Sequence, residues 1–308
     1  MRAAHKWLVL IGILLALSSG ASESMEASNS LPPAPFSAFL PVVNGTSRLM
    51  GRSLSGSAEN WLERLNNYRR AAGLPPVVEE AALTAGLNQH IHYMLLNLSP
   101  ETMWNGETPD HPGYSLEGQQ AAAESNLFAG NAGNATPAKA IDQWMKSVTH
   151  RYGMLNPGLV FTGFAFDCDE RLCAAGLNVL QGLSPEGNGL TEGVVYPGPN
   201  QAGVDPDIVV SWQFSLHSNA VLAGAVLSAP SGAPVAATIS APQPDDYFKV
   251  ITLAPNQPLK PNATYTARMV VILDGKTVSR KWSFTTGSSL PGGTAPAPGG
   301  EIQTAPRR

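Results

Sequence analysis

Clustered positive charge is absent from this chain. Lys and Arg number 19 against 23 Asp and Glu, only 14% of the residues are charged, and no basic stripe occurs. A protein that holds nucleic acid through its phosphates needs such a stripe to displace counterions. The composition therefore excludes nucleic acid as an expected partner.

Long apolar runs are nearly absent as well. One run of eleven residues, 7–17, lies close to the N-terminus and is too short to span a bilayer. Arg2 and Lys6 precede it and three small residues at 19–21 follow it, which predicts a signal peptide over 1–21. An uncleaved anchor helix is the alternative. Cleavage would remove two cations and no acid, so the formal charge would change from −4 to −6.

No second apolar run of comparable length follows the first one. We therefore expect a mature chain without a transmembrane span. A cleaved signal peptide also predicts that the protein is secreted, to the extracellular space, the periplasm or the cell surface.

Several catalytic signatures are missing too. The chain has no Gly-x-Ser-x-Gly nucleophile elbow and no glycine-rich phosphate loop. His90-x-His92 lacks the His-Glu-x-x-His spacing of a helical zinc protease, and we expect both histidines to be packed or solvated helix residues. The sequence therefore provides no clear nucleophile.

Only two cysteines occur, Cys168 and Cys173, with four residues between them. An exported chain meets an oxidising compartment, and this spacing suits a bridge across a hairpin turn. A metal pair is the weaker alternative, because no second Cys or His pair accompanies these two. We predict a Cys168–Cys173 disulfide.

Changes in composition and periodicity divide the chain into six segments. Ser, Pro and Gly mark the arm, the linker and the tail, whereas the two segments between them carry regular apolar patterns. The predicted segments are a signal peptide over 1–21, a disordered arm over 22–54, a first domain over 55–183, a linker over 184–205, a β-sandwich over 206–287 and a disordered tail over 288–308.

The first domain shows helical periodicity followed by two strands. Apolar stripes predict helices around 61–70, 83–94 and 137–148, with a loop over 97–120 and a short helix near 119–125. Runs at 159–166 and 174–180 predict a hairpin whose turn holds the cysteines.

The second domain changes to a period of two. Six short runs separated by turn residues are typical of a β-sandwich. These runs are 208–216, 220–227, 234–239, 247–253, 264–273 and 278–285.

Four ordered motifs in the first domain resemble the CAP superfamily of cysteine-rich secretory, antigen 5 and pathogenesis-related proteins. They are Asn66-x-x-Arg69 with Gly73-Leu74-Pro75, the segment Glu124-Ser125-Asn126-Leu127, Trp144-x-x-Ser147-x-x-His150 and Gly163-Phe164-Ala165-Phe166. The resemblance implies an α+β chain whose first domain is a three-layer α–β–α sandwich.

The family's central cleft usually holds two His and two acidic residues, and some members bind Zn²⁺ or another divalent ion there. Carried over by motif, Glu124 is the first acid, His150 the second histidine and His111 the first histidine. The second acid would follow Trp144, where this chain reads Met-Lys-Ser. The resemblance thus implies a candidate metal or ligand site at His111, Glu124 and His150 that lacks one carboxylate.

The second domain is similar to bacterial Ig-like modules. Leu259-x-Pro261-x-x-x-Tyr265-Thr266 and the final Trp282-Ser283-Phe284-Thr285-Thr286 strand carry the likeness. It implies a C-terminal all-β sandwich that serves as a spacer or attachment module.

Three functions remain open at this point. The first is a secreted, non-enzymatic protein whose cleft binds a divalent ion such as Zn²⁺ or a small apolar or lipid ligand. The second is an extracellular, protease-like hydrolase with Glu124 as base and the histidines activating water or a carbonyl. The third is a structural module that contacts a cell-surface component.

Overall fold

The computed structural model describes residues 60–97, 106–184, 192–243, 246 and 248–288. The predicted signal peptide and arm lie outside these ranges, and so does the predicted tail apart from residue 288. No helix in the described part of the chain is long and apolar enough to cross a membrane.

The described residues form both helices and strands, which confirms the α+β class. The helices are α1 (Trp61–Ala71), α2 (Ala81–Leu96), α3 (Leu116–Ala123), α4 (Pro137–Lys146) and α5 (Val148–Met154). The strands of the first half are β1 (Val78–Glu79), β2 (Ser125–Asn131), β3 (Phe161–Thr162), β4 (Phe164–Cys168) and β5 (Leu172–Asn178). Those of the second half are β6 (Val194–Tyr196), β7 (Val210–Gln213), β8 (Ala220–Ser228), β9 (Ala237–Ser240), β10 (Val250–Pro255), β11 (Thr264–Leu273) and β12 (Lys276–Thr285).

The first half is built on an antiparallel sheet with the order β2-β5-β4. Helix α2 approaches one face because Gly176 of β5 has no side chain; a Cβ there would lie 2.5 Å from Leu87. On the other face Trp61 of α1 stacks on Phe164 of β4, with 4.8 Å between ring centroids. Helices therefore cover both faces of this sheet, and a buried cluster lies against each face.

The second half consists of two antiparallel sheets, with the orders β6-β7-β10-β9 and β12-β11-β8. Burial alternates along β11, where Tyr265 and Met269 are buried while Thr264 and Arg268 are exposed. Trp212 of β7 and residues of both sheets belong to one hydrophobic cluster. The period of two seen in the sequence thus corresponds to one buried and one outward face.

Strands β6 and β7 lie directly against the first half. Arg151 of α5 is fully buried and donates to the carbonyl of Val209 and to Ser211 Oγ, at 2.9 and 3.0 Å. Gln213 Nε2 donates to the carbonyls of Tyr152 and Leu155, at 3.0 and 3.2 Å. Part of the segment predicted as a linker, 184–205, is strand β6, and the hydrophobic cluster continues through this junction.

Three local predictions were wrong. Helix α3 begins at Leu116 rather than near Gln119, because Ser115 caps it by accepting from the Gly118 amide. The residues after α3 form strand β2, which the sequence did not indicate. The helix predicted over 137–148 ends at Lys146, and a second helix, α5, begins at Val148 and contains His150.

Candidate functional site

Three successive side chains at the start of β2 have buried polar atoms without a hydrogen-bond partner. Glu124 is the C-cap of α3, and Ser125 and Asn126 are the first residues of β2. The atoms are Glu124 Oε2, Ser125 Oγ and Asn126 Oδ1. Buried polar atoms are normally paired, so these atoms mark a candidate site. Ser125 and Asn126 are successive strand residues and point to opposite faces of the sheet, so only Glu124 Oε2 and Asn126 Oδ1 belong together in this site.

Burial also changes the acidity of Glu124. Desolvation raises the pKa of this carboxyl above its ordinary value, and a side-chain hydrogen bond with Gln120 lowers it by a smaller amount. Removal from water disfavours the charged form, which explains the direction. A bound cation or hydrogen-bond donor would favour the carboxylate again.

His150 lies beside this group. Asn126 Nδ2 donates to the His150 carbonyl at 3.1 Å, so the beginning of β2 touches α5. The His150 ring places Nδ1 2.9 Å from Ser147 Oγ, and Ser147 is the N-cap of α5. The structure therefore brings His150 and Asn126 together through backbone and side chain.

His111 lies in a different environment. Its Nδ1 is 3.2 Å from the hydroxyl of Tyr93 on α2, and the two rings stack with centroids 6.4 Å apart. The same hydroxyl accepts a hydrogen bond from the Thr108 amide at 3.1 Å. His111 is thus held against α2, whereas His150 belongs to α5.

The structure does not bring His111, Glu124 and His150 into one metal site. Within the described ranges, no three side chains of His, Cys, Asp or Glu are close enough to hold a metal ion. Zinc sites in proteins use three or four such ligands. The donor set expected for Zn²⁺ does not fit this geometry.

The structure also shows a buried pair that sequence reasoning missed. His90 Nδ1 lies 3.1 Å from Glu107 Oε1, and both side chains are fully buried. Glu107 Oε2 accepts from the Ser115 amide at 2.6 Å, while His90 Nε2 has no partner. Glu107 was predicted only as part of a loop, and no local spacing links it to a histidine 17 positions earlier.

Two residues of the family-like motifs have structural roles. Asn66 exchanges two hydrogen bonds with the backbone of Val77, at 3.0 and 2.8 Å. Arg69 is fully buried and donates to four carbonyls: those of Pro75, Met154, Asn156 and Leu159. The Asn-x-x-Arg spacing therefore joins α1 to two distant loops.

The predicted disulfide is confirmed. Cys168 and Cys173 are bonded and are also register partners at the end of the β4–β5 hairpin. Asp169 Oδ1 accepts from the amides of Arg171 and Leu172, and these backbone hydrogen bonds lower the pKa of Asp169. The bridge closes the hairpin at the end remote from Glu124.

Residues 62–181 match the model of the CAP family, described as the cysteine-rich secretory protein family. We call this range the CAP region. It contains all three predicted site residues and the disulfide, and it ends before β6. The match supports the resemblance seen in the four motifs, and it does not extend to the strands of the second half.

Comparisons with known proteins add little beyond this match. No curated protein matches the chain. Among solved structures, the crystal structure of CopC from Methylosinus trichosporium OB3b matches at 19% identity, over 31% of this chain and 93% of that chain, with a TM-score of 0.25. A likeness this low supports no conclusion about fold or function.

Proposed function

We propose that this protein is an exported binding protein whose CAP region holds a small, mainly apolar ligand at the start of β2. The unpaired acceptors Glu124 Oε2 and Asn126 Oδ1 carry this proposal. An unpaired buried polar atom costs about 1–3 kcal/mol. Glu124 Oε2 and Asn126 Oδ1 are both acceptors, so the complementary ligand has a donor such as a hydroxyl group.

Apolar surface lies next to these acceptors. Phe128 is two residues from Asn126 along β2 and therefore lies on the same face of the sheet. It is partly buried and packs on the larger hydrophobic cluster. A ligand with one hydroxyl group and an apolar body, as in a sterol or a fatty alcohol, matches this combination.

A fluorescent sterol and a fluorescent fatty alcohol are suitable first probes. We expect Glu124→Gln to weaken binding of the better probe by about tenfold, because one good hydrogen bond to a charged group is worth roughly 1.5 kcal/mol. Glu117→Gln is the matched control, since Glu117 is exposed in the first turn of α3. Equal affinities for the wild type and Glu124→Gln would contradict the proposal.

A parallel titration separates a metal from an organic ligand. Calorimetry with Zn²⁺ on the wild type and on His150→Ala should give identical heats if the site is organic. Heat that disappears with His150→Ala would instead favour the divalent ion that the family resemblance implies.

One contact favours a hydrolase as the second candidate. Ser147 Oγ lies 2.9 Å from His150 Nδ1, which is the distance expected between a serine nucleophile and its base. Ser147 also lies 3.0 Å from Thr149 Oγ1 at the same helix start. An organophosphonate serine probe that labels the wild type and spares Ser147→Ala would support this candidate; no labelling would count against it.

Export and an Ig-like second half complete the proposal. The disulfide between Cys168 and Cys173 supports export, because such bonds persist in oxidising compartments. Two antiparallel sheets with alternating burial support the Ig-like assignment of the second half. The hydrogen bonds between α5 and β7, in which Arg151 donates to Ser211 and Gln213 donates to Tyr152, favour a fixed attachment module over a mobile spacer.

A further inference from the structure

Two cations stand side by side on the outward face of the sheet β12-β11-β8. Arg268 of β11 and Lys281 of β12 are register partners, and both are exposed. Like charges directly opposite each other destabilise an antiparallel pair. A sheet that served only as a scaffold would be more stable with an opposite or neutral residue at one of the two positions.

Nothing in the sheet neutralises this pair. Strands β8, β11 and β12 contain no Asp or Glu, although acids outnumber bases in the whole chain. Arg268 and Lys281 make no ion pair or side-chain hydrogen bond with any described residue. The face therefore carries a local positive potential opposite in sign to the net charge.

Hydroxyl groups continue the same face on one side of the cations. Thr266 Oγ1 and Ser283 Oγ lie 2.8 Å apart across the strands, and Thr264 Oγ1 and Thr285 Oγ1 lie 2.9 Å apart. Each such pair uses one hydroxyl hydrogen internally and leaves the other free to donate. On the other side of the cations, Val221 and Ile272 pair as exposed apolar residues.

We propose that this outward face binds an anionic polysaccharide, with carboxylates at Arg268 and Lys281 and sugar hydroxyls at the Thr and Ser pairs. Cations and hydroxyl groups lie side by side on this face, which suits a chain that combines carboxylates with many hydroxyl groups. The aromatic residues of the sheet, Tyr265, Trp282 and Phe284, are buried on its inner side. The face thus offers no ring for base stacking, which single-stranded nucleic acid binding uses.

Polygalacturonate, immobilised on a sensor surface, is the probe for this proposal. We expect binding at low salt that weakens as the salt concentration rises, because both contacts are exposed ion pairs. The double variant R268Q/K281Q should bind at least tenfold more weakly. Arg70→Gln with Lys260→Gln is the matched control, because it removes two exposed cations from outside the three strands.

Four results would overturn the proposal. The first is that the full chain does not bind polygalacturonate, and the second is that R268Q/K281Q binds it as tightly as the wild type does. The third is that the control variant loses as much binding as R268Q/K281Q, and the fourth is that the wild type binds duplex DNA equally tightly at the same charge concentration. Neutral dextran should not bind. R268Q/K281Q should keep the wild-type melting temperature or exceed it, since it removes a repulsion, so a weaker interaction would not reflect misfolding.

Discussion

Arg69 joins three separate parts of the CAP region through a single side chain. Among the described residues its guanidinium contacts no carboxylate; it is surrounded by main-chain carbonyls. Burial without a carboxylate lowers the pKa of Arg69 to about 10. Removal of the guanidinium from water therefore costs free energy, and only the complete set of hydrogen bonds offsets this cost.

Removal of this side chain should be far more damaging than removal of its neighbour. We expect Arg69→Ala to lower the free energy of unfolding by about 3–5 kcal/mol, because four carbonyls, two of them in fully buried contacts, lose their donor. Arg70→Ala should change it by no more than about 0.5 kcal/mol, since Arg70 is exposed. Urea unfolding of both variants checks this; similar losses would show that the carbonyl contacts contribute little.

Glu124 should make stability depend on pH with a definite sign. A carboxyl whose pKa is raised in the folded state contributes stability below its unfolded pKa, and this contribution is lost as pH rises through the folded value. Glutamine does not ionise, so the Glu124→Gln variant does not lose this stability as the pH rises. The free energy of unfolding of this variant, relative to the wild type, should therefore increase from about pH 4 upward.

Urea unfolding at a series of pH values measures this difference. Glu117→Gln controls for the loss of one negative charge from α3, because Glu117 is exposed there. The difference in free energy of unfolding between Glu124→Gln and the wild type should increase with pH. If it stays constant or decreases, the Glu124 carboxyl is not buried in the way described.

Sequence motifs pointed to some residues of the candidate site and not to others. Glu124 and His150 stand in motifs with fixed spacing, and Asn126 links their two elements. His111 lies in a predicted loop without a regular pattern, and its ring packs on Tyr93. Glu107 has no local pattern, because its pairing with His90 depends on how α2 and α3 come together.

Helix α3 approaches its neighbours closely because of one glycine. A Cβ at Gly118 would fall on Glu107 Oε1 and lie 2.7 Å from Ser115 Oγ. Alanine normally stabilises a helix position relative to glycine by about 0.5–1 kcal/mol. At this position the added methyl group would displace the carboxylate that contacts His90.

We therefore expect Gly118→Ala to destabilise the protein by about 1–3 kcal/mol, the usual cost of overpacking. Gly133→Ala is the control, because a Cβ there meets no heavy atom within 4 Å. Thermal unfolding of the two variants tests the difference. If Gly118→Ala proves as stable as Gly133→Ala, the buried His90–Glu107 pair does not constrain α3.

Helices and strands with a regular apolar pattern were predictable from the sequence. Strands that are extended only because they pair with a neighbouring strand were not. Helix α2 and strand β11 carry regular apolar patterns and were found. Strand β2 reads Ser-Asn-Leu-Phe-Ala-Gly-Asn, with no β-branched residue, and it is extended because it pairs with β5 over its whole length. Strand β6 has only three residues and depends on its pairing with β7.

The two halves of the described chain share a desolvated junction. Arg151 also lies over the ring of Tyr196, 4.5 Å from its centroid, and burial lowers the pKa of Arg151 to about 10. The Tyr152 hydroxyl donates to the Phe214 carbonyl at 2.5 Å. Separation of the halves would expose one hydrophobic cluster and leave these groups without partners.

The halves should consequently unfold together. Trp61 and Trp144 report on the first half, and Trp212 and Trp282 report on the second. Each variant that keeps only one pair should give the same urea midpoint by fluorescence as by far-UV circular dichroism, as a two-state transition requires. Gln213→Ala should lower both midpoints in parallel, whereas two separate transitions would show independent halves.

The sequence indicated the two halves but not their junction. Changes in periodicity separate a helical part from a strand part, and glycine and proline between them suggest a linker. Arg151 and Gln213 carry no such signal, because each satisfies backbone carbonyls that only the assembled structure brings near. Contacts of this kind have no spacing rule that a single sequence reveals.

Strand β8 lies at the edge of its sheet among the described strands, and it has no charged residue to repel a neighbouring chain. Its pairing with β11 shifts between Val270 and Val271: Gly224 pairs with Val270 and Leu222 pairs with Val271. Ala223, between them, has no register partner in β11. The shift breaks the regular row of amide and carbonyl groups along the strand. Another chain could pair only with the short runs of amide and carbonyl groups on either side of the shift. The shift therefore protects this uncharged edge against fibril growth.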